Sequence, residues 1–334
     1  EGTNFHYSPE ALDKLKTKLS LVFEATVCVQ YLHNHILDEK YEFDLKNCPR
    51  LWRNMLASNL LKSALFAYLN DEVRPLLQSS EQFIHLQELL NKLCLVVDAG
   101  QRLDKHFSNY RAYRKADYAP FVEANWLEDD FCRNLLSPFI THIANALDEE
   151  PVFLRLYFHR IYQTNVFFFR TLAKTAITFF PGLEQKHYVN LEAFAILYGY
   201  MLQIINDYAD FAYTEDEGES EKLETGAKKS TDVFADLYNF NITLPLLLHL
   251  QHDHRRKVEL YLNGGQRKRN IISEYPREIM RELMETGSIQ YCIFLAQKIA
   301  SAADRQLDKN NPTSLLLMNA TDMARDNKYY KIFK

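Results

Sequence analysis

Apolar residues recur at intervals of three and four along almost the whole chain, and this spacing constrains the fold more than any other feature. Leu15, Leu19, Val22, Val29, Leu32 and Ile36 show it in the first long segment. Ser8-Pro9-Glu10 opens that segment with a hydroxyl cap, a proline at the first helical position and an acid in the first turn. The same spacing predicts helices over roughly 50–70, 81–108, 129–147, 151–180, 187–213, 231–253, 255–263, 275–300 and 313–325. No segment alternates as a strand does, and no fixed repeat is visible. Only 9 glycines and 10 prolines punctuate 334 residues, too few for a strand-rich chain with its many turns. The reading is therefore all-α.

A hydrophobic share of 47% is enough for a sizeable core. A net charge of −5 and a pI near 6.2 carry no basic footprint for nucleic acid. The five cysteines are odd in number and form no CxxC pair, which argues against a disulfide framework and for a reducing, cytoplasmic setting. Targeting is not read from a chain that starts at Glu1. The richest apolar stretch, Val166 to Phe180, is broken by Arg170 and Lys174, so no membrane span of ~18–20 residues is expected. Two segments interrupt the helical pattern: Thr214 to Lys229, acidic and then basic, and the turn around Asn263-Gly264-Gly265 with its short basic run. Neither reads as a domain linker, because the flanking helices are too apolar to stand alone.

Polar groups at helical spacing inside apolar helices mark two candidate sites. Asn34 and Asp38 are four apart at the end of the first long helix and share a face. Oxygen donors in that register suit Mg²⁺, and an ordinary polar stripe at a helix end would show the same spacing without a metal. Further on, Gln203 and Asp207 are four apart, as are Asn206 and Asp210. This polar cluster closes an apolar helix and precedes the loop at Thr214, an arrangement that suits the mouth of a site.

The order of the motifs resembles the trans-isoprenyl diphosphate synthases, and the class I terpene synthases built on the same bundle. His33-Asn34-His35-Ile36-Leu37-Asp38 is similar to the family's first aspartate-rich motif, with Glu24 ten residues earlier and Pro49 in the turn that follows. Gly199 to Asp210 resembles the second motif. Gly100-Gln101, Lys174-Thr175-Ala176, Lys228 to Asp232, and Asp236 to Leu246 resemble further family segments, in family order. The departures are Asn34, His35 and Asn206 where aspartates are usual, Lys46 with Arg50 in place of paired arginines, and a longer interval between Gln101 and Lys174.

The resemblance implies one antiparallel helical domain over 1–334 around a deep apolar cavity, with a helical insertion near 110–148. It implies a Mg²⁺-dependent enzyme that ionises an allylic prenyl diphosphate for elongation or cyclisation. The alternative is an impaired subunit, or an isoprenoid-binding protein, acting with an active partner. By the same resemblance Lys174, Gln203 and Asp207 are catalytic, and Lys46, Arg50, Lys174 and Lys228 hold the diphosphate. Val29, Gln30, Gln101 and Thr175 line the tunnel, and the small Val29 implies room for at least a farnesyl chain. Asn34, Asp38, Asn206, Asp207 and Asp210 hold the metal, with reduced affinity because three carboxylates are missing. The implied partners are a prenyl diphosphate and a second chain, in a homodimer or a heterodimer with a related subunit; no nucleic acid and no membrane span are expected.

Overall fold

The computed structural model describes residues 7–37, 49–106, 129–147, 152–179, 185–211, 243–249 and 276–324. Among the described residues there is no strand. The helices are α1 (Pro9–Leu37), α2 (Pro49–Tyr68), α3 (Ser80–His106), α4 (Asp130–Leu147), α5 (Val152–Ile161), α6 (Phe167–Phe179), α7 (Gln185–Ala209), α8 (Leu244–His249), α9 (Pro276–Glu285), α10 (Ser288–Asp304) and α11 (Pro312–Thr321). A π turn, Leu69–Val73, extends α2, and a second, Tyr162–Val166, joins α5 to α6.

The predicted cap at Ser8 is present, and two further caps accompany it. Ser8 Oγ accepts the Ala11 N–H at 3.2 Å, and Ser79 Oγ accepts the Gln82 N–H at 3.2 Å. Asp129 caps α4, its Oδ1 accepting from Phe131 and Cys132 at 3.0 and 3.2 Å. Pro49, expected in a turn, is the first residue of α2, where its missing N–H costs no helical bond. The segment read as one helix from 275 to 300 is two, divided at Gly287, whose φ of 71° a side chain rarely adopts.

Two apolar clusters form the interior. One gathers Leu15, Val22, Leu86 and Leu93 of α1 and α3 with Phe179 of α6. The other gathers Ile140 of α4, Tyr157 of α5, Tyr200 and Ile204 of α7, Leu246 of α8 and Ile299 of α10. Phe167 of α6 packs against both, so α6 and the second π turn stand between them. That position demands close approach. A Cβ on Gly100 of α3 would lie 2.6 Å from Gln163 Cβ, and one on Gly199 of α7 would lie 2.9 Å from Val166 Cα. The two motif glycines therefore let α3 and α7 both close on the same π turn. Asn165 Nδ2 fixes the second contact by donating to the Gly199 carbonyl at 2.9 Å.

α7 is packed chiefly on α10 and α6. Its stretch His187–Ala209 is long and apolar enough to cross a membrane by length and composition, which the sequence reading did not expect. Of its 18-residue apolar window, 56% is buried inside the fold, as in a core helix. The four cysteines among the described residues, Cys28, Cys94, Cys132 and Cys292, are free thiols.

Candidate functional site

The C-terminal half of α7 carries the second motif. Gln203 and Asp207 meet as their spacing requires: Gln203 Nε2 donates to Asp207 Oδ1 at 2.8 Å. Asp207 is 2% exposed, and its Oδ2 also accepts the Tyr157 hydroxyl of α5 at 2.7 Å and the Leu244 N–H of α8 at 3.1 Å. Burial, and then the charge of Asp207, push the Tyr157 hydroxyl well above its ordinary range; the same two causes raise the Cys292 thiol nearby. Asn206 and Asp210, expected on one face, differ: Asn206 is exposed and Asp210 is fully buried.

The first motif lies at the end of α1. Asn34 is half-buried. Its neighbour His33 reaches two other helices: Nε2 lies 2.7 Å from Ser58 Oγ of α2, and Nδ1 lies 3.4 Å from Asp98 Oδ1 of α3. The hydrogen bond from His33 holds the Asp98 carboxyl below its ordinary range, against the opposing effect of burial. Val29 is buried. Gln101 Nε2 donates to the Gln30 carbonyl at 3.4 Å, so two of the expected tunnel residues touch. The side-chain amide of Gln30 is enclosed near Asp98, whose carboxyl it also helps to hold down.

On α6, Thr175 is buried and returns its hydroxyl to the Thr171 carbonyl at 2.9 Å. Lys174 is 43% exposed at its side chain, with Nζ 3.5 Å from Glu192 Oε1 of α7. One turn earlier, buried Arg170 donates from Nε to the same Glu192 oxygen at 2.6 Å and from NH1 to the Tyr162 hydroxyl at 2.6 Å. Its NH2 pairs with Asp129 Oδ2 at 2.5 Å, so Asp129 caps α4 with one oxygen and binds α6 with the other. Burial pushes the neighbouring Cys132 thiol up to about 11. Arg170, Glu192, Asp129 and Tyr162 were not singled out from the sequence. The one signal was a charged residue inside the apolar stretch Val166 to Phe180, which requires a buried partner. Asp38, Lys46 and Lys228 lie outside the described residues, as does the side chain of Arg50.

A Mg²⁺ ion keeps several waters and takes oxygen ligands that open toward solvent. Asp207 and Asp210, at 2% and 0% exposure, do not offer that. No three acidic, histidine or cysteine side chains among the described residues gather as a metal site. These two carboxylates of the second motif therefore do not fit the ion, while the amide of Asn206 in the same motif is exposed.

No family model and no curated protein sequence matches the chain. Solved structures do. The polyprenyl synthase of Caulobacter crescentus, solved with calcium and isoprenyl diphosphate, superposes with a TM-score of 0.63 over 93% of this chain and 78% of its own, at 16% identity. The heptaprenyl diphosphate synthase of Staphylococcus aureus gives 0.60 over 93% and 80%, at 16% identity. The geranylgeranyl pyrophosphate synthetase of Pyrococcus horikoshii gives 0.60 over 93% and 79%, at 17% identity. The chain has the all-α fold of the trans-isoprenyl diphosphate synthases.

Proposed function

We propose that this protein binds an allylic prenyl diphosphate and acts as a prenyltransferase-type enzyme of isoprenoid metabolism. The observation that supports this reading is that a fold like that of prenyl diphosphate synthases occurs together with the motif residues on helices in sequence order: Gly100-Gln101 on α3, Lys174-Thr175 on α6 and Gly199 to Asp207 on α7. In this reading Lys174, half-exposed beside Glu192, neutralises the leaving diphosphate together with Lys46, Arg50 and Lys228. Val29, Gln30, Gln101 and Thr175 form the wall that keeps water from the prenyl chain. Mg²⁺ is the expected companion of the diphosphate; Asn34, Asp38 and the exposed Asn206 are the groups this reading leaves for it. A second chain covers the outward stripe of α2, where Trp52, Met55, Leu56, Leu60 and Phe66 stand exposed at helical spacing. That chain is a second copy or a related subunit, in a cytoplasmic assembly.

The test is diphosphate release from farnesyl or geranylgeranyl diphosphate, with and without isopentenyl diphosphate. Release only with isopentenyl diphosphate is the expected result and marks elongation. Release without it marks cyclisation, as in a terpene synthase. The enclosed Asp207 and Asp210 favour one other reading, an impaired subunit or isoprenoid-binding protein that works through an active partner. Absence of release with Mg²⁺ or Mn²⁺ alongside measurable prenyl diphosphate binding selects that reading; absence of binding overturns both.

A further inference from the structure

Helix α6 brings two cations to one carboxylate oxygen of α7. Arg170 and Lys174 are four apart on α6 and share a face, and both reach Glu192 Oε1. The two contacts are unequal. Arg170 Nε donates to that oxygen at 2.6 Å. Lys174 Nζ lies 3.5 Å from it, beyond the ~2.7–2.9 Å of a charge-assisted hydrogen bond. The buried Arg170 guanidinium is further fixed by Asp129 Oδ2 at 2.5 Å and by the Tyr162 hydroxyl at 2.6 Å. Cys132 beside them stays a neutral thiol, because burial pushes it up to about 11. Lys174, by contrast, is half-exposed on a flexible four-carbon stem and keeps its N–H donors for another acceptor. Glu192 is thus held by Arg170 whether or not Lys174 stays. Lys174 leaves it at the small cost of a half-exposed ion pair.

We propose that Glu192 is a positioning residue in a counter-ion exchange: it holds the Lys174 ammonium while the site is empty, a diphosphate takes the ammonium from it, and Arg170 keeps Glu192 in place throughout. The inference rests on the proposed function for its ligand class, because there Lys174 is a cation that meets the diphosphate. It adds the direction in which Glu192 acts. Glu192 competes with the anion for Lys174, so removing its charge tightens anion binding. Loss of a merely structural support would loosen binding or leave it unchanged.

The experiment titrates full-length wild type, Glu192→Gln, Lys174→Met and the double variant with inorganic pyrophosphate and Mg²⁺ by calorimetry, once circular dichroism shows each to be folded. Glu192→Gln is expected to bind pyrophosphate about two- to fivefold more tightly than wild type, the range that a half-exposed ion pair allows. Lys174→Met is expected to bind about fivefold or more weakly. Adding Glu192→Gln to Lys174→Met is expected to change affinity by less than about 1.5-fold, because the competitor then has nothing to withhold. Unchanged or weaker binding by Glu192→Gln overturns the exchange. So does an equal tightening in the Lys174→Met background, which would mark a general field effect, and so does Lys174→Met binding as wild type does. If Glu192→Gln does not fold, carbon NMR of the wild type decides. The Glu192 carboxyl signal is expected to move on saturation with pyrophosphate, and to move much less in Lys174→Met; an unmoved signal in wild type, or equal movement in both, overturns the exchange. A wild type that binds no pyrophosphate overturns the proposed function and the exchange with it, whereas a binding wild type with the wrong pattern of variants overturns the exchange alone.

Discussion

Helix α7 presents two acids, and their surroundings differ. Near its start, Glu192 meets cations: Arg170 at 2.6 Å and Lys174 at 3.5 Å. Near its end, Asp207 meets a hydroxyl, a side-chain amide and a backbone N–H. The first site needs a charge, because a buried guanidinium without its counter-ions carries a desolvation cost. The second collects neutral donors from α5, α7 and α8. Both acids sit on one apolar helix, and only the partner groups tell them apart.

The largest expected effect is at the ionic end. Arg170→Leu leaves Asp129 and Glu192 without their shared guanidinium and strands the Tyr162 hydroxyl, so it should cost about 3–5 kcal/mol. Chemical denaturation reads this as a lower midpoint at unchanged slope; a loss under about 1 kcal/mol would mean that the cluster is not the tie it is described to be. Next comes the packing between the two ends. Gly100→Ala places a Cβ 2.6 Å from Gln163 Cβ and 2.9 Å from the Thr164 nitrogen, so backbone must move, at about 1–3 kcal/mol. A neutral Gly100→Ala would show that α3 and the second π turn are not held as closely as drawn.

A smaller effect separates the ends by pH. Burial opposes the charge on Asp129, but Arg170 and the N–H groups of Phe131 and Cys132 outweigh it and hold the carboxyl below its ordinary range. A lowered folded value means that the contribution is present above the unfolded carboxyl range and is lost as pH falls through the folded value. Wild type should therefore exceed Asp129→Asn in Tm near neutral pH, and the gap should narrow as pH falls below the ordinary carboxyl range. A gap independent of pH would assign the effect of Asp129 to its helix cap alone. The smallest expected signal is Mg²⁺ binding in the absence of diphosphate, which calorimetry should find weak; tight binding would show that the first motif suffices as a metal site.

Much of the fold was legible. Spacing of three and four, scarce glycine and sparse proline gave an all-α chain, and the Ser8 cap appeared where it was expected. The break at Gly287 was signalled by the glycine itself, but the apolar period on either side continued through it. The π turns were not legible, because one extra residue per turn leaves no mark in residue type. At the site, spacing predicted that Gln203 and Asp207 would touch, and they do. Helical spacing also put Asn206 with Asp210, yet one is exposed and the other buried. Near a helix end, exposure is set by what the chain packs there, which spacing within the helix does not carry. Tyr157 was missed for the same reason: its partner is distant in sequence, and one buried tyrosine looks like the others.

The contrast between the two ends of α7 is tested most directly by neutralising each acid without changing its shape. Glu192→Gln removes the charge that Arg170 and Lys174 share and should cost about 2–3 kcal/mol. Asp207→Asn keeps a carbonyl oxygen for the Tyr157 hydroxyl and the Leu244 N–H and should change stability by less than about 1 kcal/mol. Denaturant titrations of the two variants beside wild type give both numbers. The account predicts a clear loss for Glu192→Gln and almost none for Asp207→Asn; equal losses, or a larger loss for Asp207→Asn, would contradict it.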